Sequence, residues 1–296
     1  MDAVYINREI VSMKAAYEKQ IKDYFNNSHF FYRYFWMNKR NLSMHYGFWD
    51  KNTKNLHQAL INENKYAADA LDISKNDKVL DAGCGVGGTS IWVAENYGAK
   101  VTGVSLSEKQ VGLAKKYAKG RNVSMLTNFI LSDYCKINLP DESFNKIYGM
   151  ESICYAEDKA DFLKEAFRLL KRGGKIVVLD GFLTKEPVDE ANLEYYNDFL
   201  KGWALSNLAS TKSFSDDMRE IGYTNITYTD ATNKVLKSSD ELYGSAKHIY
   251  PFVKWLNRFH LTPLSNVVAE KACLAQYYIF KNNVGVYGVF TAEKPK

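Results

Sequence analysis

Residues Val79-Leu80-Asp81-Ala82-Gly83-Cys84-Gly85-Val86-Gly87-Gly88 carry a short apolar strand straight into a glycine-rich turn. Gly83, Gly85 and Gly88 satisfy G-x-G-x-x-G, a pattern in which missing side chains let backbone approach a dinucleotide closely. The same stretch also satisfies D-x-G-x-G-x-G through Asp81, Gly83, Gly85 and Gly87. The two patterns point to different cofactors, and the turn alone does not choose between them.

Outward from the turn, residues 78–182 alternate strand and helix signals. Lys78–Asp81 and Lys100–Val104 read as short buried strands, and Ser107–Lys119 as a helix with Ser107 at its N-cap. Phe144–Met150 and Lys175–Asp180 add strands, and Lys159–Leu170 carries apolar residues at helical spacing. Arg172-Gly173-Gly174 supplies the residues that a left-handed helix C-cap prefers, so that helix is expected to close there. Repeated strand–helix units imply a parallel sheet covered by helices on both faces. Beyond them, Ser213–Ile221 reads as a helix, and Asn225–Thr229 and Val284–Ala292 as strands. The span Thr232–Asn283 is too long for a bare loop and is read as a helical cap. Upstream, the aromatic-dense stretch Tyr24–Trp49, with Phe30-Phe31-Tyr32 and Tyr34-Phe35-Trp36, reads as a lid ending at Met44-His45-Tyr46-Gly47. The expected division is 1–65 lid, 66–231 core, 232–283 cap and 284–296 final core strand.

A nicotinamide site places Asp or Glu about 20 residues beyond the glycines for the ribose. Here Ser105 stands at that position. With that, the chain resembles the class I S-adenosylmethionine-dependent methyltransferases over roughly residues 40–295. Val79–Gly88 is similar to their first motif, and Leu131-Ser132-Asp133-Tyr134 to their acidic adenine-side motif. Phe144–Met150 resembles their fourth strand, and Leu169-Leu170-Lys171-Arg172-Gly173-Gly174 their "LLKPGG" turn. The resemblance implies an α/β, Rossmann-like fold with a mostly parallel seven-stranded sheet, and S-adenosylmethionine as cofactor. It implies that Gly83 and Gly85 contact the methionine part and Asp133 the adenine amine, for which a carboxylate is the natural acceptor, with Asp81, Gly87 and Tyr134 also at the cofactor. Ser105-Leu106-Ser107-Glu108-Lys109-Gln110 preserves a "GVTLSxxQ" form, so Ser105, Leu106 and Gln110 are expected on the ribose side. Asn145 stands where relatives carry Asp and is read as structural.

The branch with that form includes sterol, tocopherol and prenyl diphosphate C-methyltransferases and cyclopropane fatty acid synthases, whose acceptors are apolar. Met150-Glu151-Ser152-Ile153-Cys154-Tyr155 resembles their segment after strand four, and Met44-His45-Tyr46-Gly47 their lid. The resemblance therefore implies Met150, Tyr46 and Gly47 at the cofactor. An alkene acceptor leaves a carbocation, which needs aromatic faces and a base. Glu151 is the expected base, with Tyr155, Tyr46, Tyr34 or Trp36 as cation partners. Tyr34, Trp36, Tyr250 and Trp255 are expected in the acceptor pocket. With a phenol or amine acceptor, His45 or Glu151 would only deprotonate it, giving O- or N-methylation. A protein that binds the cofactor without catalysis is the alternative of another class.

Composition bounds these readings. With 46% hydrophobic and 25% charged residues the chain is ordinary for a globular protein, and a net charge of +5 is too mild for a nucleic-acid footprint. Cys84, Cys135, Cys154 and Cys273 show no C-x-x-C spacing, and His29, His45, His57, His248 and His260 no mutual metal spacing, so no metal is expected. The Lys109, Lys115, Lys116, Lys119 and Arg121 face of a helix reads as solvated. No transmembrane-length stretch occurs, and a cytoplasmic location is expected. Peripheral membrane contact through an amphipathic Met1–Tyr24 helix and a homodimer are both compatible with the pattern.

Overall fold

The computed structural model describes residues 16–26 and 41–296. The Phe30–Trp36 run, with the expected pocket residues Tyr34 and Trp36, lies outside the described residues, as does the 1–15 part of the helix expected over Met1–Tyr24.

Residues 16–26 are helical (α1). Helix α2 (Leu56–Ala70) starts where the Asn55 side chain accepts the Gln58 N–H, and it buries Ala59, Leu60, Glu63, Asn64, Ala67 and Ala68 along one stripe. There follow β1 (Lys78–Ala82), α3 (Gly88–Tyr97), β2 (Lys100–Ser105), α4 (Glu108–Gly120), β3 (Thr127–Leu131), β4 (Phe144–Met150), α5 (Lys159–Leu169) and β5 (Leu170–Leu183). Ser107 caps α4 as expected, its side chain accepting the Gln110 N–H. The chain continues through α6 (Leu193–Trp203), α7 (Thr211–Ile221), β6 (Thr224–Asp230), α8 (Thr232–Arg258), α9 (Leu264–Lys281) and β7 (Gly285–Glu293).

The seven strands form one sheet in the order β3-β2-β1-β4-β5-β7-β6. All neighbours run parallel through β5, and β7 pairs antiparallel with both β5 and β6. Alternate strand residues feed opposite layers, Val79, Val177 and Leu179 on one face and Leu80, Ile176 and Val178 on the other. From β1 the chain winds outward to β3, then crosses back to place β4 on the other side of β1. That reversal opens a crevice at the carboxyl ends of β1, β2 and β4, where ligands of such sheets bind. Among the described residues no helix is long and apolar enough to cross a membrane.

Two local readings differ from the structure. Helix α5 ends at Leu169, where Leu170 is already extended, so the glycines do not cap it. Gly173 instead turns with φ +72° inside the start of β5, and its N–H donates to the Lys294 carbonyl. Helix α6 was not legible. Asn192 at its start makes no side-chain capping bond, and the left-handed position at its end is Ala204 rather than glycine. It packs against α9, and α9 against α8 in turn.

Candidate active site

The glycine turn floors a cavity of about 240 Å³ at the carboxyl edge of the sheet. Its backbone is left-handed at Gly83 and Gly85, with φ of +97° and +51°. A Cβ at Gly83 would fall on the Ser152 side chain, so this glycine permits close packing of β1 against the turn after β4. At Gly85 a Cβ would meet only Met44 Sδ at 3.5 Å and Gln110 Nε2 at 4.0 Å. Its bare backbone faces the cavity. Asp81 lies at the cavity wall and holds the turn from below, with Oδ2 accepting from Ser90 at 2.6 Å and Tyr148 at 2.8 Å. Burial pushes its carboxyl up to about 6, against the opposing pull of those two hydroxyls.

The next strands deliver the other expected groups to the same rim. Ser105, Leu106, Gln110, Asp133, Tyr134 and Met150 all line the cavity. The Ser105 hydroxyl is engaged already, donating to Gln110 Oε1 at 2.7 Å and accepting the Ser107 N–H at 3.1 Å. Asp133 accepts the Cys135 N–H through Oδ1 at 2.8 Å, and the buried Tyr134 hydroxyl donates to the Ser152 carbonyl at 2.7 Å. Asn145 accepts the Lys78 N–H at 3.0 Å, a link between two strand starts far along the sequence.

Glu151, at the end of β4, also lines the cavity and sits in a left-handed conformation, φ +46°. Oε1 accepts the Tyr46 N–H at 2.8 Å and lies 3.0 Å from the Tyr287 hydroxyl oxygen. The same Tyr287 hydroxyl donates to Glu63 Oε1, while Glu63 Oε2 accepts the Gly47 N–H at 2.8 Å and lies 2.7 Å from His45 Nδ1. Loss of hydration, reinforced by the Glu63 charge, raises the Glu151 carboxyl well above the usual carboxylate range. This network joins the lid segment, α2, β4 and β7. Tyr287→Phe removes the phenol between two buried carboxyl groups and is expected to cost about 1–3 kcal/mol of stability. Denaturant titration of the variant checks it, and an unchanged midpoint would remove the phenol from the network's support.

The structure brings most expected site residues together. His45, Tyr46, Glu151 and Tyr155 share the cavity. Gly47 and Gly87 do not line it. Their left-handed turns serve packing instead, since a Cβ would meet the Ala59–Leu60 backbone at 2.9 Å at Gly47 and the Phe129 ring at 2.9 Å at Gly87. Tyr250 and Trp255 do not line it either, and Trp255 is solvent-facing. They belong to the far half of α8, while Leu242, closer to its start, reaches the cavity. The pocket wall takes Phe25 from the stretch read as the lid, and Phe199 and Trp203 from α6, which was not read for it. Asp180, also unread, accepts the Ile153 and Cys154 N–H groups at 2.8 and 2.9 Å and so positions the turn bearing Tyr155. Glu63 was legible in one respect, as an acid on the apolar stripe of α2. The histidine spacing that argued against a metal is joined here by carboxylates from other elements. His45, Glu63 and Glu151 place ligand atoms within 4.8 Å of one another, although the hydrogen bonds above already account for their closeness.

Residues 80–178 match the model of the methyltransferase domain family. The chain is 30% identical over 177 residues to phosphoethanolamine N-methyltransferase of Triticum aestivum, covering 60% of this chain and 34% of that protein. It is also 30% identical over 189 residues to sterol 24-C-methyltransferase of Saccharomyces cerevisiae, covering 62% and 48%. The chain thus spans about a third to a half of these two relatives. Among solved structures it is similar to geranyl diphosphate C-methyltransferase of Streptomyces coelicolor A3(2), in complex with Mg2+, geranyl diphosphate and S-adenosyl-L-homocysteine. The TM-score there is 0.72 at 19% identity, covering 94% of this chain and 97% of that one. The [4+2]-cyclase SpnF shares the fold at TM-score 0.68 and 21% identity, over 86% and 88% of the two chains. Residues 80–178 are thus a methyltransferase domain by their family match, set in a seven-stranded sheet that these solved structures share.

Proposed function

We propose that this protein transfers a methyl group from S-adenosylmethionine to a carbon atom of a small apolar acceptor, an isoprenoid- or sterol-like alkene. The observation that carries the reading is Glu151, a desolvated carboxyl in one continuous cavity with the glycine turn and an aromatic wall of Phe25, Tyr155, Phe199 and Trp203. The residues present suit the cofactor. Gly85 leaves bare backbone where a side chain would enter the cavity, and Asp133 offers a carboxylate on the same rim. In this reading Gly83 and Gly85 hold the methionine part, the Ser105–Gln110 pair flanks the ribose, and Asp133 accepts from the adenine amine.

The cofactor supplies an electrophilic methyl on a sulfonium, so the protein's work is alignment, exclusion of water and control of charge. Bound there, the cofactor would supply its methyl to the alkene π pair, with the thioether as leaving group. Faces of Tyr155, Phe25 and Trp203 stabilise the electron-poor carbon left on the acceptor. Glu151 takes the proton from the adjacent carbon, and those electrons restore a double bond. Its raised proton affinity suits a base in an apolar pocket. Tyr46 closes the cavity as part of the lid, with its hydroxyl on Gln276 and its ring edge-on to Phe280 and Tyr287. His45, held against Glu63, acts as a positioning residue.

The N-methylating relative supports a second reading, in which Glu151 only deprotonates an amine or phenol. The shared fold of a cyclase supports a third, cofactor binding without transfer. Incubation with methyl-labelled S-adenosylmethionine and a panel of prenyl, sterol, phenol and amine acceptors separates them. Label in a carbon-bound methyl is the expected result, located by product mass and fragmentation. Label on nitrogen or oxygen would replace C-methylation, and tight cofactor binding with no labelled product would overturn methyl transfer.

A further inference from the structure

We propose that the tip where α8 ends and α9 begins is a docking surface for an anionic lipid bilayer. The proposal goes beyond methyl transfer and does not rest on it. Ile249, Phe252, Trp255 and Phe259 recur at helical spacing, so they share one face of α8. Phe252 and Trp255 stack with ring centroids 6.0 Å apart, and the Trp255 and Phe259 rings lie 5.2 Å apart. Leu261 and Leu264 extend the strip through the turn into α9. From Phe252 to Leu264 these five large apolar residues, Ile249 aside, are 53–67% exposed. Scattered exposed apolar residues need no explanation, whereas a contiguous strip of this kind marks a contact surface.

Charge selects the occupant. Between Leu242 and Ala269 the sequence holds no Asp or Glu, while Lys247, Lys254 and Arg258 are exposed on the side of α8 that flanks the aromatic strip, and His248 and His260 are exposed as well. Trp and Phe flanked by Lys and Arg match the bilayer interface, where rings settle at headgroup level and cations meet anionic lipid. A second copy docking through the same face would bring these cations toward their own equivalents, since the segment that carries the strip supplies no acid of its own to pair them.

Cosedimentation of the full chain with lipid vesicles tests this without any methyl-transfer readout. Binding is expected to vesicles of equal parts phosphatidylcholine and phosphatidylglycerol, and to be much weaker with phosphatidylcholine alone. The Phe252→Ser/Phe259→Ser variant should lose about tenfold or more in partitioning. Lys254→Gln/Arg258→Gln should lose roughly fivefold per cation on the anionic vesicles. Both pairs are exposed, so unchanged thermal melting should accompany the loss. Wild-type chain that ignores anionic vesicles, or a serine variant that binds like wild type, would overturn the proposal. Self-association that sedimentation equilibrium detects in wild type and not in the serine variant would assign the face to a second copy instead.

Discussion

Glu151→Gln is expected to lower turnover by about 10²–10⁴-fold, the usual loss when a positioned base is removed, with cofactor affinity nearly unchanged. The amide keeps an oxygen to accept the Tyr46 N–H, so the lid contact survives while proton removal does not. Steady-state kinetics beside calorimetric cofactor binding make the measurement, and wild-type turnover would remove Glu151 from catalysis. The pH profile gives an independent readout. A base must be ionised to work, so wild-type activity should rise with pH through a limb lying well above the ordinary glutamate range, because burial and the Glu63 charge hold the proton on. The variant should lack that limb. Stability moves in the opposite sense. Below the unfolded chain's glutamate pKa both states keep the proton and the site adds no pH dependence. As pH rises past that value the unfolded chain ionises first, so the wild type loses stability until the folded group ionises too. Glutamine has no proton to lose, so Glu151→Gln should gain stability relative to wild type at neutral pH and not in acid. Melting curves at the two pH values decide it.

Gly85→Arg is expected to abolish S-adenosylmethionine binding by isothermal calorimetry while leaving a folded protein. The Cβ position at Gly85 meets nothing closer than Met44 Sδ at 3.5 Å, so the long side chain has only the cavity to enter. The left-handed φ of +51° adds strain of roughly 1–2 kcal/mol per residue, which a domain of this size can absorb. Gly83→Ala supplies the contrast. There even one methyl collides with the Ser152 side chain, whose hydroxyl donates to the Ala82 carbonyl at 2.5 Å. That variant should lower thermal stability first and affinity as a consequence. If Gly85→Arg kept wild-type affinity, the turn would not be the cofactor floor.

The two glycines sit two residues apart in one motif, yet their roles differ for reasons no motif contains. The same holds for Gly47 and Gly87, which the pattern groups with the ligand and the fold commits to packing against α2 and Phe129. Glu63 lies eighty-eight positions from Glu151, and only the closure of α2 onto the sheet puts both carboxyl groups on the Tyr287 hydroxyl. Helix α6 makes no side-chain capping bond, and nothing local to Phe199 and Trp203 aims them at the pocket, whereas the eye-catching Trp255 of α8 was read in and lies outside.

Local chemistry is what a sequence states directly. The strand–turn–helix rhythm, the capping Ser107, the missing acid at Ser105 and the acid at Glu151 are each short-range facts. They were enough to indicate a parallel α/β core and, through the family that they resemble, the cofactor class. Which apolar surfaces become core, wall or exposed strip depends on long-range burial, and the raised proton affinity of Glu151 depends on desolvation by residues far away in the chain. Those depend on how layers pack, and only the tertiary structure decided them.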